Sequence, residues 1–512
     1  MKKGSKLTIL GTSALMLLSV IGCAGGGSDD GHTIIFWSTF NDSYQNVINN
    51  AKTSFEAKYK NLGYKVSIKK QTGSYNDIKD LVVKGVSTQN IPDLCVVYPD
   101  SVADFIQSKV AFNVQTYMES EQEIEVTSAE GLLHTEQIGW TNDDFEDIPE
   151  TYIEEGQHYT VQGTFSLPFC KSTEAMYYNG DILNGLDLTG VDDTINNGQP
   201  LDKDYLGSLT WDELFNRLCP ALIEYNNGLS DNEKIMKPCG KYNKTAVVGW
   251  HSDDNLFITL AEQFGLGYTA IENYKGVVKF VEKNADNTFK DVGEGWYDLI
   301  DTFAAAYKNG YITTTGALGE SASNLYQGGT QGSGMLFSIG STGGAKYAYD
   351  ANNAKNSVPV MIPQADTAHA KVINQGPSMA FLKRNKGTAE EIQARTLGAW
   401  LFYKELLTTE VHLNWALQTG YTPVRDTVAE SDEYLAYCNE NLQPANSLEK
   451  LSALTAKYAT TVADSLFSNV VYYGSSKART AVGRNPPAPS GAARTATSAS
   501  PAGIPPVCAT GS

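Results

Sequence analysis

The sequence predicts an α/β fold of two lobes, each a mainly parallel sheet flanked by helices. Three observations carry that prediction. Apolar, strand-like runs alternate with amphipathic helical stretches, the pattern of a parallel sheet covered on both faces. The body of the 512-residue chain, from about His32 to Lys477, is longer than one hydrophobic core usually organises. Polar and aromatic residues fall directly after the strand-like runs, where open parallel sheets present their ligand sites.

Taken in order, HTIIFWSTF reads as a first strand from Thr33 to Trp37, and SYQNVINNAKTSFEAKYK as the helix after it. KVSIKKQ alternates as a second strand, and NDIKDLVVKGVST is helical. IPDLCVVYPDSVADFIQ gives an apolar strand over Leu94–Val97 that opens into a loop and helix. Residues 119–156 hold thirteen Asp or Glu and no Lys or Arg, which predicts a solvated surface insertion. Within it, DDFEDIPE lacks the alternating spacing of a calcium loop, so no metal is assigned. SLPFCKSTEAMYYN, Ser166–Asn179, joins an apolar strand start, a proline, a carboxylate and two adjacent tyrosines. On a strand, Tyr177 and Tyr178 point to opposite sides, so one of them is expected in the core. In LTWDELF, Thr210 is a natural N-cap and Glu213 completes a capping box. Further helices are expected at Asn255–Phe264 and Gly295–Lys308, with strands at MLFSI, ending in GSTGG, and at VPVMI. The stripe of TAEEIQARTLGAWLFYKELL, with Trp400, is core.

The two ends differ from this body. Lys2, Lys3 and Lys6 precede an apolar run from Leu7 to Ile21 that stops at Gly22 and Cys23, the pattern of an export signal. The run is short for a bilayer span, and a flexible, polar Gly-rich tether follows it. The segment after Lys477 has no aromatic and no acidic residue and is rich in Arg, so it is set outside the fold as disordered or non-native. The net charge of −19 argues against nucleic acid and anionic membrane as partners. Of the seven cysteines, Cys95, Cys170, Cys219, Cys239 and Cys438 lie in the body without a disulfide or metal spacing. Most read as small buried apolar residues; Cys219 and Cys239 alone are close enough in sequence for a bridge.

The motifs IIFWSTF, IPDLCVVYPDSVADF, LPFCKSTEAMYYN, LTWDELF, GWHSDDNLF, FSIGSTGG and LNWALQTGYTPVR, in that order, make the chain resemble the family 1 extracellular solute-binding proteins. These are sugar-binding lipoproteins of ABC importers, related to maltose-binding protein. The resemblance spans roughly residues 33–475 and implies a hinged cleft between the lobes, no enzymatic activity, no cofactor, and a monomer that hands sugar to importer membrane subunits. It places lobe 1 at 33–172 and 373–415 and lobe 2 at 173–372 and 416–477, with SLPFCKSTEAMYYN crossing between them. Val20-Ile21-Gly22-Cys23 resembles a lipobox, which would put a lipid on Cys23 and the protein on the outer (or periplasmic) face of the cell membrane, after a signal peptide 1–22 and a tether 23–32.

A pyranose has apolar C–H faces that lie on aromatic rings and hydroxyls that need paired donors and acceptors. Trp37, Tyr98, Trp250 and Trp415 are candidate platforms; Asp100, Glu174, His251 and Asn255 are candidate polar partners. The resemblance brings Asp100 and the GWHS stretch to positions that contact ligand in maltose-binding relatives. Tyr177, Ser341, Gly343, Tyr421 and Arg425 complete the expected set. Trp37 and Tyr98 are also readable as packed rim residues, GSTGG as a plain turn, and Arg425 as an anion partner or a structural ion pair. Two other functions fit the same pattern less well. An exported glycosidase would cast Asp100 and Glu174 as its two carboxylates, but no hydrolase motif is present. A binder of glycerol-3-phosphate or another charged solute is disfavoured by the acidic balance and the few arginines before the tail.

Overall fold

The computed structural model describes residues 31–483 except 274, 281, 284–285, 287–288, 291–293, 329–332 and 351–354. The signal segment, Cys23, most of the tether, Cys508 and the tail from residue 484 lie outside the described residues.

The first sheet is built from β1 (Thr33–Ser38), β2 (Lys65–Lys70), β3 (Leu94–Val97) and β4 (Ser166–Pro168). The chain then crosses to the second sheet as β5 (Glu174–Asn179), and adds β6 (Val248–Trp250), β7 (Ile312–Thr314), β8 (Phe337–Ser341) and β9 (Ser357–Val360). After the short β10 (Val372–Ile373) it returns to the first sheet as β11 (Ser378–Phe381). The sheet orders are β2-β1-β3-β11-β4 and β7-β6-β8-β5-β9. In each, three strands run parallel, and the strand that arrives from the other lobe lies antiparallel beside them. β3 is buried at all four positions, as an unbroken apolar run requires when helices cover both faces.

Helix α1 (Asp42–Lys58) starts where Asn41 accepts a hydrogen bond from the Tyr44 amide, and α2 (Tyr75–Gly85) at a capping box of Ser74 and Asp77. At Thr210 only half of the expected box forms. Thr210 accepts from the Glu213 amide, while the Glu213 carboxylate is taken by Tyr205 and Arg217. Helices α3 (Pro99–Gln107) and α4 (Asp253–Gln263) follow β3 and β6 at their carboxyl ends. Helix α5 (Ala389–Leu406) buries Trp400 in the first lobe, whose indole donates to the Ile138 carbonyl at 2.7 Å.

Helix α6 (Thr409–Thr419) is one unbroken element packed on α1, so the lobe boundary expected after Trp415 falls inside a helix. Lobe 1 continues through Val424, which belongs to its core. The acidic block is also more than a surface insertion. It forms a hairpin, Glu123–Thr127 with Leu133–Gln137, and two short helices, and it sends Ile124, Val126, Trp140 and Ile153 into the lobe 1 core; most of its carboxylates face outward, while Asp147 and Glu155 are buried. The five described cysteines are buried and free, so Cys219 and Cys239 are not bridged.

The first two crossovers pair with each other. Ser172 and Gln375 exchange backbone hydrogen bonds, both at 2.9 Å, and the Cys170 amide donates to the Pro377 carbonyl at 3.1 Å. Gly376, at φ 106°, sits where an added Cβ would lie 1.9 Å from the Cys170 carbonyl oxygen. This ribbon joins the lobes together with a third crossing after Val424, where Thr422 bridges Lys171, and the cleft opens beside it.

Candidate functional site

A cavity of about 410 Å³ lies between the lobes at the carboxyl ends of β3, β6 and β8. The first lobe contributes Tyr98 and Asp100, the residues directly after β3. The second contributes Glu174 and Tyr177 from β5, His251 and Asn255 after β6, and Ser341 at the end of β8; Gln375 comes from the returning crossover.

Glu174 is the centre of this arrangement. It is 1 % exposed, and its Oε1 accepts from Trp250 Nε1 at 3.2 Å and from Asn255 Nδ2 at 3.0 Å. Its Oε2 has no hydrogen-bond partner among the described residues. Burial raises its pKa to about 7, against the two hydrogen bonds that favour the charged form. Asn255 also donates to Gln375 Oε1 at 2.7 Å, which ties the floor of the cleft to the hinge ribbon. Burial lowers the His251 pKa to about 4, so its ring is neutral at pH 7, and Nε2 meets the Ser338 hydroxyl at 3.0 Å. The Asp100 pKa is raised by burial, offset in part by Arg479 and Lys79, and its Oδ1 has no partner among the described residues.

Several expected residues lie elsewhere. Trp250 is fully buried and stacks on Trp211 at 5.9 Å, so it supports Glu174 from behind and offers no stacking face to a ligand. The reason is strand alternation: His251 turns to the cleft and its neighbour Trp250 to the core. Trp37 packs in the lobe 1 core with Val97 and Val102. Trp415 is sandwiched between Phe169 and Tyr421, stacked on both. Tyr421 spends its ring on Trp415 and on Gly343, whose added Cβ would lie 3.0 Å from it, and its hydroxyl meets that of Tyr75 at 3.4 Å. Gly343 and Tyr421 therefore lie behind the cleft, while Ser341 and Gly344 border it. Arg425 is a structural ion pair: it binds Asp147 and Asp144, the latter at 3.1 Å, and donates to the Leu407 carbonyl at 3.1 Å. Of the tyrosine pair, Tyr177 borders the cavity and Tyr178 faces the lobe 2 core with its hydroxyl on Asn184.

One wall was not expected at all. Helix α7 (Leu448–Thr461) packs on β9, and the chain then leads to α8 (Ser475–Val482), which lies against both α3 of lobe 1 and α4 of lobe 2. The fold boundary set after Lys477 thus falls inside α8. Ser476, Arg479 and Thr480 line the cavity. Arg479 Nε is 2.6 Å from Asp254 Oδ2, its Nη2 donates to Asn255 Oδ1, and its guanidinium lies 5.7 Å from the Tyr98 ring centre. Asp254 lies within the quoted GWHSDDNLF motif, whereas Gln375 belongs to no quoted motif and Arg479 carried no signal beyond its helix-compatible surroundings.

Two α/β lobes with a polar cleft at their strand ends, joined by a paired ribbon, define a two-lobed binding protein. The family model described as "Bacterial extracellular solute-binding protein" matches residues 50–439, and the chain belongs to this family. Solved structures agree in fold. UgpB from Mycobacterium tuberculosis in complex with glycerophosphocholine aligns at TM-score 0.58 and 15 % identity over 90 % of this chain and 92 % of that one. The GacH receptor of Streptomyces glaucescens, also solved with acarbose, aligns at 0.55 and 12 % over 88 % and 92 %. Maltose-bound T. maritima MalE3 aligns at 0.55 and 13 % over 88 % and 92 %. A search of curated proteins finds no match to this chain.

Proposed function

We propose that the protein captures a carbohydrate, an oligosaccharide in the first instance, in the interlobe cleft and delivers it to the membrane subunits of an ABC importer. It does so as a monomer, without enzymatic activity, held to the outer face of the membrane by a lipid on Cys23. The observation that carries the ligand class is the cleft wall itself. Carboxylate and amide groups of Asp100, Glu174, Asn255 and Gln375 line the cleft together with the half-buried Tyr98, the pairing a hydroxylated ring needs. Structures of the same fold hold maltose and acarbose. A phosphorylated solute, as in the glycerophosphocholine complex of UgpB, would bring its anion against Asp100, Glu174 and Asp254.

The test is a thermal-shift screen of neutral oligosaccharides, with the sugar recovered and analysed afterwards. A true ligand at a hundred times its Kd adds about 2.7 kcal/mol to stability and is recovered intact. A cleaved product that disappears in Glu174→Gln would replace capture with hydrolysis. For the anchor, Cys23→Ala should move the protein from the membrane fraction to the soluble exported fraction and abolish palmitate labelling; retention of both would remove the lipid from the account.

A further inference from the structure

The cleft wall is acidic, and one basic side chain already fills part of it. Asp254, Asp100 and Glu174 border the same cavity, and among the described residues lining it Arg479 is the one Lys or Arg. Glu174 Oε2 is buried without a partner, and Asp100 Oδ1 is likewise unpartnered. Removing a carboxylate oxygen from water without a donor is costly, so these atoms are aimed at something that donates. The guanidinium is held on Asp254 Oδ2 at 2.6 Å, donates to Asn255, and lies 5.7 Å from the centre of the Tyr98 ring. An anionic oxygen, an amide oxygen and an aromatic face around one centre make a receptor for a hydrogen-bonding cation.

We propose that the cleft contains a cation subsite, formed by Asp254, Asn255, Asp100 and the Tyr98 face and filled by the tethered Arg479 side chain, and that the solute it takes carries a protonated amine or guanidinium which replaces Arg479. This deepens the carbohydrate reading and rests on it: the solute is a hydroxylated compound with a basic nitrogen, such as an amino sugar. The place of Arg479 follows from the fold. Helix α8 bridges α3 and α4 beside the cavity, so its side chain competes with a ligand at the high effective concentration of an intramolecular partner. Lys79, the other nearby cation, is committed to Asp80 at 3.4 Å and to the Ser476 hydroxyl.

The experiment compares full-length wild type with Arg479→Gln and Asp254→Asn, using glucosamine against glucose and methylguanidinium chloride against sodium chloride at equal, low ionic strength. Binding is read by calorimetry and by thermal shift. In Arg479→Gln, glucosamine should bind at least tenfold more tightly than glucose, and methylguanidinium should raise the melting temperature where sodium does not. In wild type both preferences should be reduced several-fold by the resident side chain. Asp254→Asn should remove the preference for the charged probes. Equal affinity for glucose and glucosamine in Arg479→Gln, with no response to methylguanidinium, would overturn the cation subsite. So would a loss of affinity for every probe in Arg479→Gln, because Arg479 would then be a donor to the ligand. Should Arg479→Gln fail to fold, Arg479→Met, which removes the charge and keeps the aliphatic stem, must show the same gain for methylguanidinium or the proposal fails. Neutral oligosaccharides that bind without any charge preference would leave carbohydrate capture standing and remove only this inference. Silence of the whole oligosaccharide panel would instead remove the capture reading.

Discussion

The two sheets share one plan, three parallel strands and an antiparallel visitor, yet they supply the cleft unequally. Lobe 1 presents mainly one strand end, with Tyr98 and Asp100 after β3. Lobe 2 presents three strands: Glu174 and Tyr177 on β5, His251 and Asn255 after β6, and Ser338 and Ser341 on β8. The strand exchange explains part of the difference. In lobe 2 the visiting strand β5 begins at the cleft with Glu174, whereas in lobe 1 the visitor β11 carries Met379 and Phe381 into the core. The cleft therefore has a polar floor on lobe 2 and an aromatic, acidic lip on lobe 1. Closure favours the bound state only through contacts that the lip adds to the floor.

The strongest way to break this comparison is through the tryptophans behind each wall. Trp250→Ala leaves a cavity beside Trp211 and removes a donor from Glu174, so it should cost about 3–5 kcal/mol of stability and also weaken ligand binding. Trp37→Ala should cost a similar amount of stability, since it too is a core residue, but leave the affinity of the folded fraction unchanged. Urea unfolding together with calorimetry on each variant separates the two. Equal effects on affinity would mean that both lobes couple core to cleft alike.

Glu174 sharpens the comparison through pH. Its folded pKa of about 7 lies above the ordinary glutamate value of 4.5, so between those values the folded state holds a proton that the unfolded chain has released. The stability this contributes is complete below about pH 4.5 and is lost as pH rises through 7, at no more than about 1.4 kcal/mol per pH unit. Glu174→Gln cannot titrate and should flatten that decline. His251, whose folded pKa of about 4 lies below its ordinary 6.5, acts in the opposite sense: the unfolded chain takes up a proton below 6.5 that the folded ring does not, so its contribution rises with pH up to about 6.5 and is common to both proteins. Melting temperatures from pH 4.5 to 8 check this; parallel curves for both proteins would show that the Glu174 carboxyl is not the titrating group.

Much of the fold is legible because strand and helix periods differ and each motif follows a strand end. LCVV, buried at every position, occurs where the pattern places it, and SLPFCKSTEAMYYN crosses between the sheets where the resemblance implies. Facing is harder to read. At VGW followed by His251, sequence gives alternation but not its phase, which only the covering Trp211 decides; Trp250 went to the core for that reason. Trp415 was lost in the same way, since its helix lies over Phe169. Arg425 had two open readings, and Asp144 and Asp147 of the acidic block settled it as structural. Arg479 was out of reach because composition marks the change at Lys477, while the helix that carries it runs from Ser475 to Val482. A local shift in residue usage says nothing about where a helix ends.

The smallest expected effect concerns the lip of lobe 1. Asp100 lies at the cleft in the first turn of α3, with its Oδ1 unpartnered among the described residues, and is expected to meet ligand only when the lobes approach. Asp100→Asn keeps the shape and one acceptor, so the loss should be about 1 kcal/mol, roughly fivefold in the closed-to-open ratio of the liganded protein. A floor residue acts differently. Glu174→Gln should raise the concentration needed for half-saturation and leave the final compact form intact. X-ray scattering on an oligosaccharide titration distinguishes the two: the Asp100 variant should stop short of the wild-type radius of gyration at saturation, and the Glu174 variant should reach it at higher ligand. If Asp100→Asn shifts only the midpoint and compacts fully, Asp100 belongs to the docking floor, and the division of labour between the lobes is wrong.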